Sequence, residues 1–155
     1  NIFVYAQDVE TGIRYNEELG GYSICPPKSW QVIEIPGFKY HGFAGPVING
    51  FAPNMNFVEE QYSAPVKEYV DLNLAQMRQL FSGFILVSRS RFSTDSHLQG
   101  ERIVIINEQY SIKLKQTFYF FTKESAKMII TFTVPVEGGE FYDAIFDGSV
   151  KTFRW

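Results

Sequence analysis

The sequence contains one cysteine, two histidines and no long apolar run. Cys25 has no second cysteine to pair with, which excludes an intrachain disulfide and a disulfide-stapled secreted fold. His41 and His97 have no partner at metal-ligand spacing, so a structural zinc site would need carboxylates, and we expect no metal and no cofactor. No apolar stretch reaches the roughly 18 residues of a membrane-spanning helix, so we predict no transmembrane span.

Catalytic motifs are also missing. No Gly-x-Ser-x-Gly elbow is present to hold a hydrolase serine. The glycine-rich stretch from Gly42 to Gly50 lacks the Gly-Lys-Ser/Thr that grips a nucleotide phosphate, so these glycines predict turns around Pro46. Cys25 stands next to two prolines with no histidine or helix start beside it, which favours a small buried residue over a reactive thiol. We therefore expect no catalytic residues and no enzyme.

What the chain does contain is typical of one globular domain. Its 155 residues are 45% hydrophobic and 20% charged, and 17% are aromatic, which favours a sheet-rich core. The formal charge of −3 argues against electrostatic binding to nucleic acid or to an anionic membrane surface. We expect a protein that is a monomer or a weak oligomer.

The first residues allow two interpretations. The segment Ile2 to Ala6 alternates like an edge strand, but Val4-Tyr5-Ala6 also has the small-residue pattern of a signal-peptide cleavage site. We therefore divide the chain into residues 1–19, an N-terminal strand or the remnant of an export signal, and residues 20–155, a single domain.

The hydrophobic pattern changes period along the chain. Residues 65–81 repeat apolar side chains at steps of three and four, which predicts a helix that begins at Pro65 and ends at Ser82-Gly83 with a left-handed glycine. A period of two then predicts four antiparallel strands from residue 84 to 135, followed by a helix over 140–150. Earlier strands are predicted over residues 20–26, 30–35, 39–44 and 54–62. Several strands are apolar on both faces, which predicts an α+β fold, an α/β/α sandwich with a mostly antiparallel sheet and a helix on each side.

These elements resemble the PsbP-like superfamily, which includes photosystem II PsbP, bacterial DcrB-type lipoproteins and a Ran-binding nucleotide-release factor. The resemblance lies in the strand that runs into Pro26-Pro27 and Trp30, the strand 53–58, and the ending from Phe146 to Phe153. It spans roughly residues 20–153, and its specificity comes from the order of short motifs. The resemblance implies an α/β/α sandwich and an accessory or binding role without a shared enzyme activity. It carries over no site residues.

Two charge patterns have a functional and an ordinary interpretation. Glu140, Asp143 and Asp147 share one helix face, which is either an oxygen site for calcium or a solvated surface. A second pattern repeats basic residues at period two on neighbouring strands, which is either a basic patch for a nucleic-acid strand or charge on an exposed end of the sheet. Its members are Arg89, Arg91, Lys113 and Lys115.

A third pattern is the high content of large apolar residues in the irregular segment 36–53. If its side chains are exposed, they form an interaction surface; if they are buried, they belong to the core. The candidate residues are Phe38, Tyr40, Phe43, Val47, Ile48 and Phe51.

We predict a non-enzymatic binding or accessory protein that meets a protein partner outside the cytoplasm, in the periplasm or anchored to a membrane. The alternative is a small-molecule or lipid carrier with an apolar pocket between sheet and helix. A histidine in a cleft beside Glu59, Glu60 or another carboxylate would instead favour an enzyme.

Overall fold

The computed structural model of the chain describes residues 10–155. The predicted strand or export remnant at residues 2–6 lies outside this range. The described part folds into nine strands and two helices. In chain order these are β1 (Tyr15–Glu17), β2 (Tyr22–Ile24), β3 (Gln31–Ile33), β4 (Gly42–Ala44), β5 (Asn54–Gln61), α1 (Val66–Leu80), β6 (Ser82–Ser93), β7 (Gln99–Gln109), β8 (Ile112–Lys123), β9 (Ala126–Pro135) and α2 (Tyr142–Lys151).

Seven strands form one antiparallel sheet in the order β3-β4-β5-β9-β8-β7-β6. The predicted meander is confirmed, because β6, β7, β8 and β9 pair consecutively and antiparallel. The strand β5 pairs antiparallel with β9 and so joins the meander to β4 and β3. The pairing runs from Asn54 opposite Thr133 to Gln61 opposite Ala126. Since β5 precedes the meander by one helix, this pairing places α1 across the sheet.

The two helices cover opposite faces of this sheet, which confirms the predicted sandwich. Successive residues of β8 point to opposite sides. Phe118 and Phe120 belong to the core cluster that contains Leu74 of α1. Tyr119 belongs to the other cluster, with Phe146 of α2. The middle strands are apolar on both faces because each face carries its own core.

Helix α1 ends by a different mechanism from the predicted one. Phe81 already has an extended backbone, with φ −95° and ψ 124°, and its N–H bonds to the carbonyl of Met77. Gly83 does adopt a positive φ of 63°, but it lies inside β6, where the register with β7 shifts between Ser82 and Ile85. The glycine therefore allows a bulge at the start of a strand and does not cap the helix.

A two-stranded hairpin of β1 and β2 lies on the α2 side of the sheet. Tyr22 stacks on Phe57 of β5 with ring centroids 4.9 Å apart, and Ser23 forms a bridge to Arg154 at the end of the chain. The predicted strand over 20–26 is reduced to β2, and β1 was not predicted. The predicted domain division at residue 20 falls in the turn between these two strands.

Candidate functional site

The hairpin brings an ionisable cluster to the edge of the sheet. The Tyr15 hydroxyl lies 2.9 Å from Oε2 of Glu17 and 3.1 Å from Nδ1 of His41. Glu17 is only 5% exposed. Residues two apart on a strand share a face, so Tyr15 and Glu17 both point from β1 toward His41, which immediately precedes β4.

One proton decides how this cluster is bonded. The Tyr15 hydroxyl has a single hydrogen and two neighbouring acceptors. A buried carboxylate loses more free energy without a donor than a half-exposed imidazole does, so the hydroxyl donates to Glu17. His41 must then carry a hydrogen on Nδ1 and donate it to the Tyr15 oxygen. Its Nε2 points outward, 3.8 Å from Oε1 of the exposed Glu34.

Two buried polar atoms of the same region have no hydrogen-bond partner among the described residues, Oε1 of Glu17 and the hydroxyl of Tyr22. Burial, and next the charge of Glu17, raises the pKa of the Tyr22 phenol. Burial and the hydrogen bond to Glu17 raise the pKa of Tyr15 to about 12. Both phenols therefore stay protonated at neutral pH, but only the Tyr15 hydroxyl donates a hydrogen bond to the Glu17 carboxylate.

This arrangement fixes the chemistry that the cluster can perform. Its hydroxyl groups belong to phenols whose pKa values are raised. In residues 10–155 no group of three or more His, Cys, Asp or Glu side chains is placed to hold a metal ion. His41 does lie beside carboxylates, with Nδ1 3.7 Å from Oε1 of Glu17 and Nε2 3.8 Å from Oε1 of Glu34, but it is not among the residues that line the cavity next to the cluster. The cluster fastens the hairpin onto the sheet edge.

Beside the cluster lies an open apolar groove of about 680 Å³, here named the hairpin groove. Trp30 and Phe43 form its buried floor, and Ile13 and Val32 stand on its rim. Ile13 is 93% exposed and Val32 is 48% exposed. The other lining residues are Thr11, Gly12, Arg14, Tyr15, Pro26, Pro27, Lys28 and Ser29.

The rim of the hairpin groove is held by the backbone. Thr11 forms an antiparallel bridge with Pro27, and the Gly12 N–H donates to the carbonyl of Pro26 at 2.6 Å. Lys28 pairs with Glu10 at 2.5 Å. Tyr15 then pairs with Ile24, so the exposed Ile13 lies between two backbone contacts of the hairpin segment.

The six residues of the predicted interaction surface are separated in space. Tyr40 and Phe43 lie in the core, while Phe38 and Val47 are exposed. Ile48 and Phe51 are half-buried and bond to each other through their backbones, at 2.8 and 2.9 Å. Phe43 is 2% exposed, which agrees with the core interpretation of this residue, and its side chain also lines the hairpin groove. Whether the other members meet a partner stays a prediction.

The acidic row on α2 anchors the helix to the sheet. Arg102 Nε donates to Oδ1 of Asp147 at 2.9 Å, and Lys115 Nζ lies 2.7 Å from Oδ1 of Asp143. Both aspartates are therefore bonded to cations of β7 and β8. Their side chains also stay partly exposed, at 46% for Asp143 and 35% for Asp147, so this face of α2 is both ion-paired and partly solvated.

The predicted basic patch is divided between the two faces of the sheet. Arg89 binds Asp71 of α1, and Arg91 lies on the same side, whereas Lys115 binds α2 on the opposite side. A single nucleic-acid strand cannot contact both groups. His97 is exposed in the turn between β6 and β7, and Cys25 is half-buried.

The sequence analysis missed the Tyr15–Glu17–His41 cluster. Its one local signal is the Tyr-x-Glu spacing, which places both side chains on one face if the segment is a strand. The approach of His41 depends on the β1–β2 hairpin folding over β4, and this contact joins residues 26 positions apart.

Comparison with known proteins identifies the fold. A scan of protein-family models and a search of curated proteins both find no match. Among solved structures, cyanobacterial PsbP from Synechocystis matches 97% of this chain and 95% of its own, with a TM-score of 0.63 at 10% identity. The chain has a PsbP-like fold.

Two further structures share this PsbP-like fold. A protein of unknown function from Pseudomonas aeruginosa, described as a putative regulator, matches 92% of this chain and 96% of its own, with a TM-score of 0.61 at 16% identity. LpqN of Mycobacterium tuberculosis, described as involved in cell envelope biogenesis, matches 93% of this chain and 84% of its own, with a TM-score of 0.63 at 8% identity. At these identities the likeness concerns the fold. Neither helix of the described chain is long and apolar enough to cross a membrane.

Proposed function

We propose that this PsbP-like chain is a non-enzymatic accessory protein that binds a protein partner outside the cytoplasm through the hairpin groove. The observation that carries the proposal is the exposure of Ile13 and Val32 on the rim of an open groove with an aromatic floor. Exposed branched side chains beside a concave apolar surface mark partner sites.

The geometry favours a partner that inserts one large apolar side chain. Trp30 and Phe43 offer ring surface at the bottom of the groove, and Ile13 and Val32 would close over an inserted ring or branched chain. Aromatic and aliphatic anchors of this kind supply much of the binding free energy at protein interfaces. Lys28 and Arg14 on the rim add polar contacts at the edge.

The absence of catalysis is part of the proposal. In the Tyr15–Glu17–His41 cluster the Tyr15 hydroxyl donates its hydrogen bond to one oxygen of a buried carboxylate, and the His41 side chain is not among the residues that line the hairpin groove. A general base must reach the bound substrate, which this placement does not favour.

The carrier alternative receives no comparable support. The aromatic side chains that would line a pocket between sheet and helix are packed on one another, as Phe132 and Phe146 are, with ring centroids 4.0 Å apart. The location outside the cytoplasm is supported by the description of LpqN as a protein of cell envelope biogenesis.

The test replaces Ile13 by the photo-crosslinking residue p-benzoyl-phenylalanine in cells of the source organism. We expect one dominant covalent adduct, lost when Val32→Glu is added to the same chain. The matched control places the crosslinker at Leu72, a partly exposed position on α1. Equal adducts from both positions, or an adduct that survives Val32→Glu, would contradict the proposal. Unchanged melting temperatures of the variants ensure that the readout reports binding.

A further inference from the structure

The strand β6 is a long, open edge of the sheet. It covers Ser82–Ser93, twelve residues, and pairs only with β7 among residues 10–155. The opposite edge, β3, has three residues. An edge strand directs alternate N–H and C=O groups away from the sheet, where another extended chain can bind them. β6 contains no proline that would block such pairing.

Apolar side chains stand uncovered near the first half of this edge. Ile85 is 57% exposed and Val87 is 52% exposed. Ile85 lies opposite Ile106, and Ile106 lies opposite Lys115, which binds α2. Ile85 therefore faces the α2 side of the sheet, and it extends the apolar surface to the open edge.

The second half of the edge carries a cation without a counter-ion. Arg91 lies directly opposite Glu101 in the register of β6 and β7. Glu101 nevertheless binds Arg89 through both oxygens, at 2.7 and 3.3 Å. Asp71 of α1 also binds Arg89, at 2.6 Å. Within the described chain, Arg91 has no ion pair and no side-chain hydrogen bond, and it lines a cavity of about 410 Å³.

The cavity beside Arg91 is basic. Lys67, Arg89 and Arg91 line it together with a single carboxylate, Glu101. Its other lining residues are Val66, Gln99 and Gly100. An anionic group placed here would supply the missing counter-ion of Arg91.

We propose that β6 binds an extended acidic peptide segment of another protein as an added strand. The segment pairs its backbone with the open edge, covers Ile85 and Val87 with an apolar side chain, and places a carboxylate at Arg91. Ile85 and Arg91 are six residues apart on β6, but the register with β7 shifts between Leu86 and Ser88. Their partners on β7, Ile106 and Glu101, are therefore five residues apart, and an added strand has the same spacing as β7. The apolar and acidic residues of the segment are therefore about five positions apart and point to opposite faces.

Charge argues against a second copy of this chain as the occupant. The sequence of β6 contains two arginines and no acidic residue. Two copies paired through β6 would bring four guanidinium groups to one seam and leave both Arg91 side chains without a counter-ion. An acidic segment neutralises the same position. This proposal is independent of the hairpin groove, which lies at the opposite edge of the sheet.

The test is selection of a random ten-residue peptide library on the purified protein. We expect the recovered peptides to share alternating apolar residues and an Asp or Glu about five positions from one of them. In fluorescence anisotropy, Arg91→Gln should weaken the best labelled peptide about fivefold, as for an exposed ion pair, and Arg91→Glu should weaken it more. Replacing the acidic residue of the peptide by Gln should abolish the difference between wild type and Arg91→Gln.

Controls separate strand addition from other binding. Val87→Pro should abolish binding, because proline removes an edge N–H and adds a ring, while Val32→Glu in the hairpin groove should have no effect. Peptides without acidic preference, or affinities that Arg91→Glu leaves unchanged, would overturn the proposal. So would a wild-type dimer in light scattering that Val87→Pro converts to monomer, because the occupant would then be a second copy.

Discussion

The Tyr119 hydroxyl donates a hydrogen bond to Oδ1 of Asp147, and this bond joins the middle of the sheet to α2. Tyr119 is fully buried on β8, and the same carboxylate oxygen accepts the Nε–H of Arg102 from β7. One aspartate therefore satisfies two polar groups that the helix covers. Burial, followed by the charge of Asp147, raises the pKa of the Tyr119 phenol, which keeps its proton on the donor side of this bond.

Replacing Asp147 by alanine should destabilise the fold by about 2–4 kcal/mol, because a buried phenol and a mostly buried guanidinium lose their acceptor. Asp147→Asn keeps one acceptor oxygen and should cost less. Urea unfolding at pH 7 measures both. Asp143→Ala is the matched control, since Asp143 is 46% exposed and accepts no hydrogen bond from a buried phenol, and it should cost below about 1 kcal/mol. Equal losses for Asp143→Ala and Asp147→Ala would contradict this account.

The Tyr15 phenol should make stability depend on pH in the alkaline range. Its pKa is raised to about 12 by burial and by Glu17, above the value of about 10 in an unfolded chain. Because the pKa of the phenol is higher in the folded state, the protonated Tyr15 contributes fully to the free energy of unfolding below pH 10. This contribution is lost as the pH rises from about 10 to 12. Unfolding free energies measured at pH 9, 10, 11 and 12 should fall less steeply for Tyr15→Phe than for wild type.

The same variant has a second expected effect at neutral pH. Tyr15→Phe removes the hydroxyl donor of the buried Glu17 and should cost about 1–3 kcal/mol. Hydrogen exchange should speed up in the hairpin of β1 and β2 before it does in the meander. Identical pH slopes for wild type and Tyr15→Phe would show that another group governs the alkaline loss.

Gly100 should tolerate no side chain. A Cβ added there would overlap the carbonyl oxygen of Phe120 on the neighbouring strand, and backbone cannot move aside as a side chain can. Gly100→Ala should therefore cost about 3 kcal/mol. Gly37→Ala is the control, because a Cβ there meets nothing within 4 Å and only its φ of 84° opposes the change, at a cost of about 1 kcal/mol. Thermal unfolding of both variants checks the difference, and similar losses would argue against the predicted overlap.

Phe43 and Val47 distinguish core from surface within the segment 36–53. Phe43 is 2% exposed and packs edge-on against Tyr15 at 5.3 Å between ring centroids, so Phe43→Ser should cost about 3–5 kcal/mol. Val47 is exposed, and Val47→Ser should change stability by less than about 0.5 kcal/mol. Denaturant midpoints measure both. A small loss for Phe43→Ser would place its ring at the surface after all.

Periodicity predicted the elements that are long and regular. The three- and four-residue steps of residues 65–81 correspond to α1, found at Val66–Leu80, and the alternation from residue 84 corresponds to four paired strands. The short strands were predicted less well. The segments 30–35 and 39–44 shrink to three residues each in β3 and β4, because so few residues show too little of any period.

The functional groups were harder to predict than the fold. Arg89 and Arg91 were correctly recognised as neighbours on one face, but the sequence does not show that Glu101 selects Arg89 and leaves Arg91 free. Asp143 pairs with Lys115, and Asp147 pairs with Arg102. Which cation each aspartate meets depends on the position at which α2 packs on the sheet. Such contacts join residues that are far apart in the chain.

The sequence by itself determined the layered architecture, because strands with apolar residues on both faces must be covered from both sides, and the chain has two amphipathic segments to cover them. Tertiary structure alone decided the burial of Glu17 beside His41, the exposure of Ile13, and the open edge at Arg91. Local hydrophobic periodicity encodes which face of an element is buried. It does not encode which distant element reaches that face, and side-chain chemistry at a site depends on that second fact.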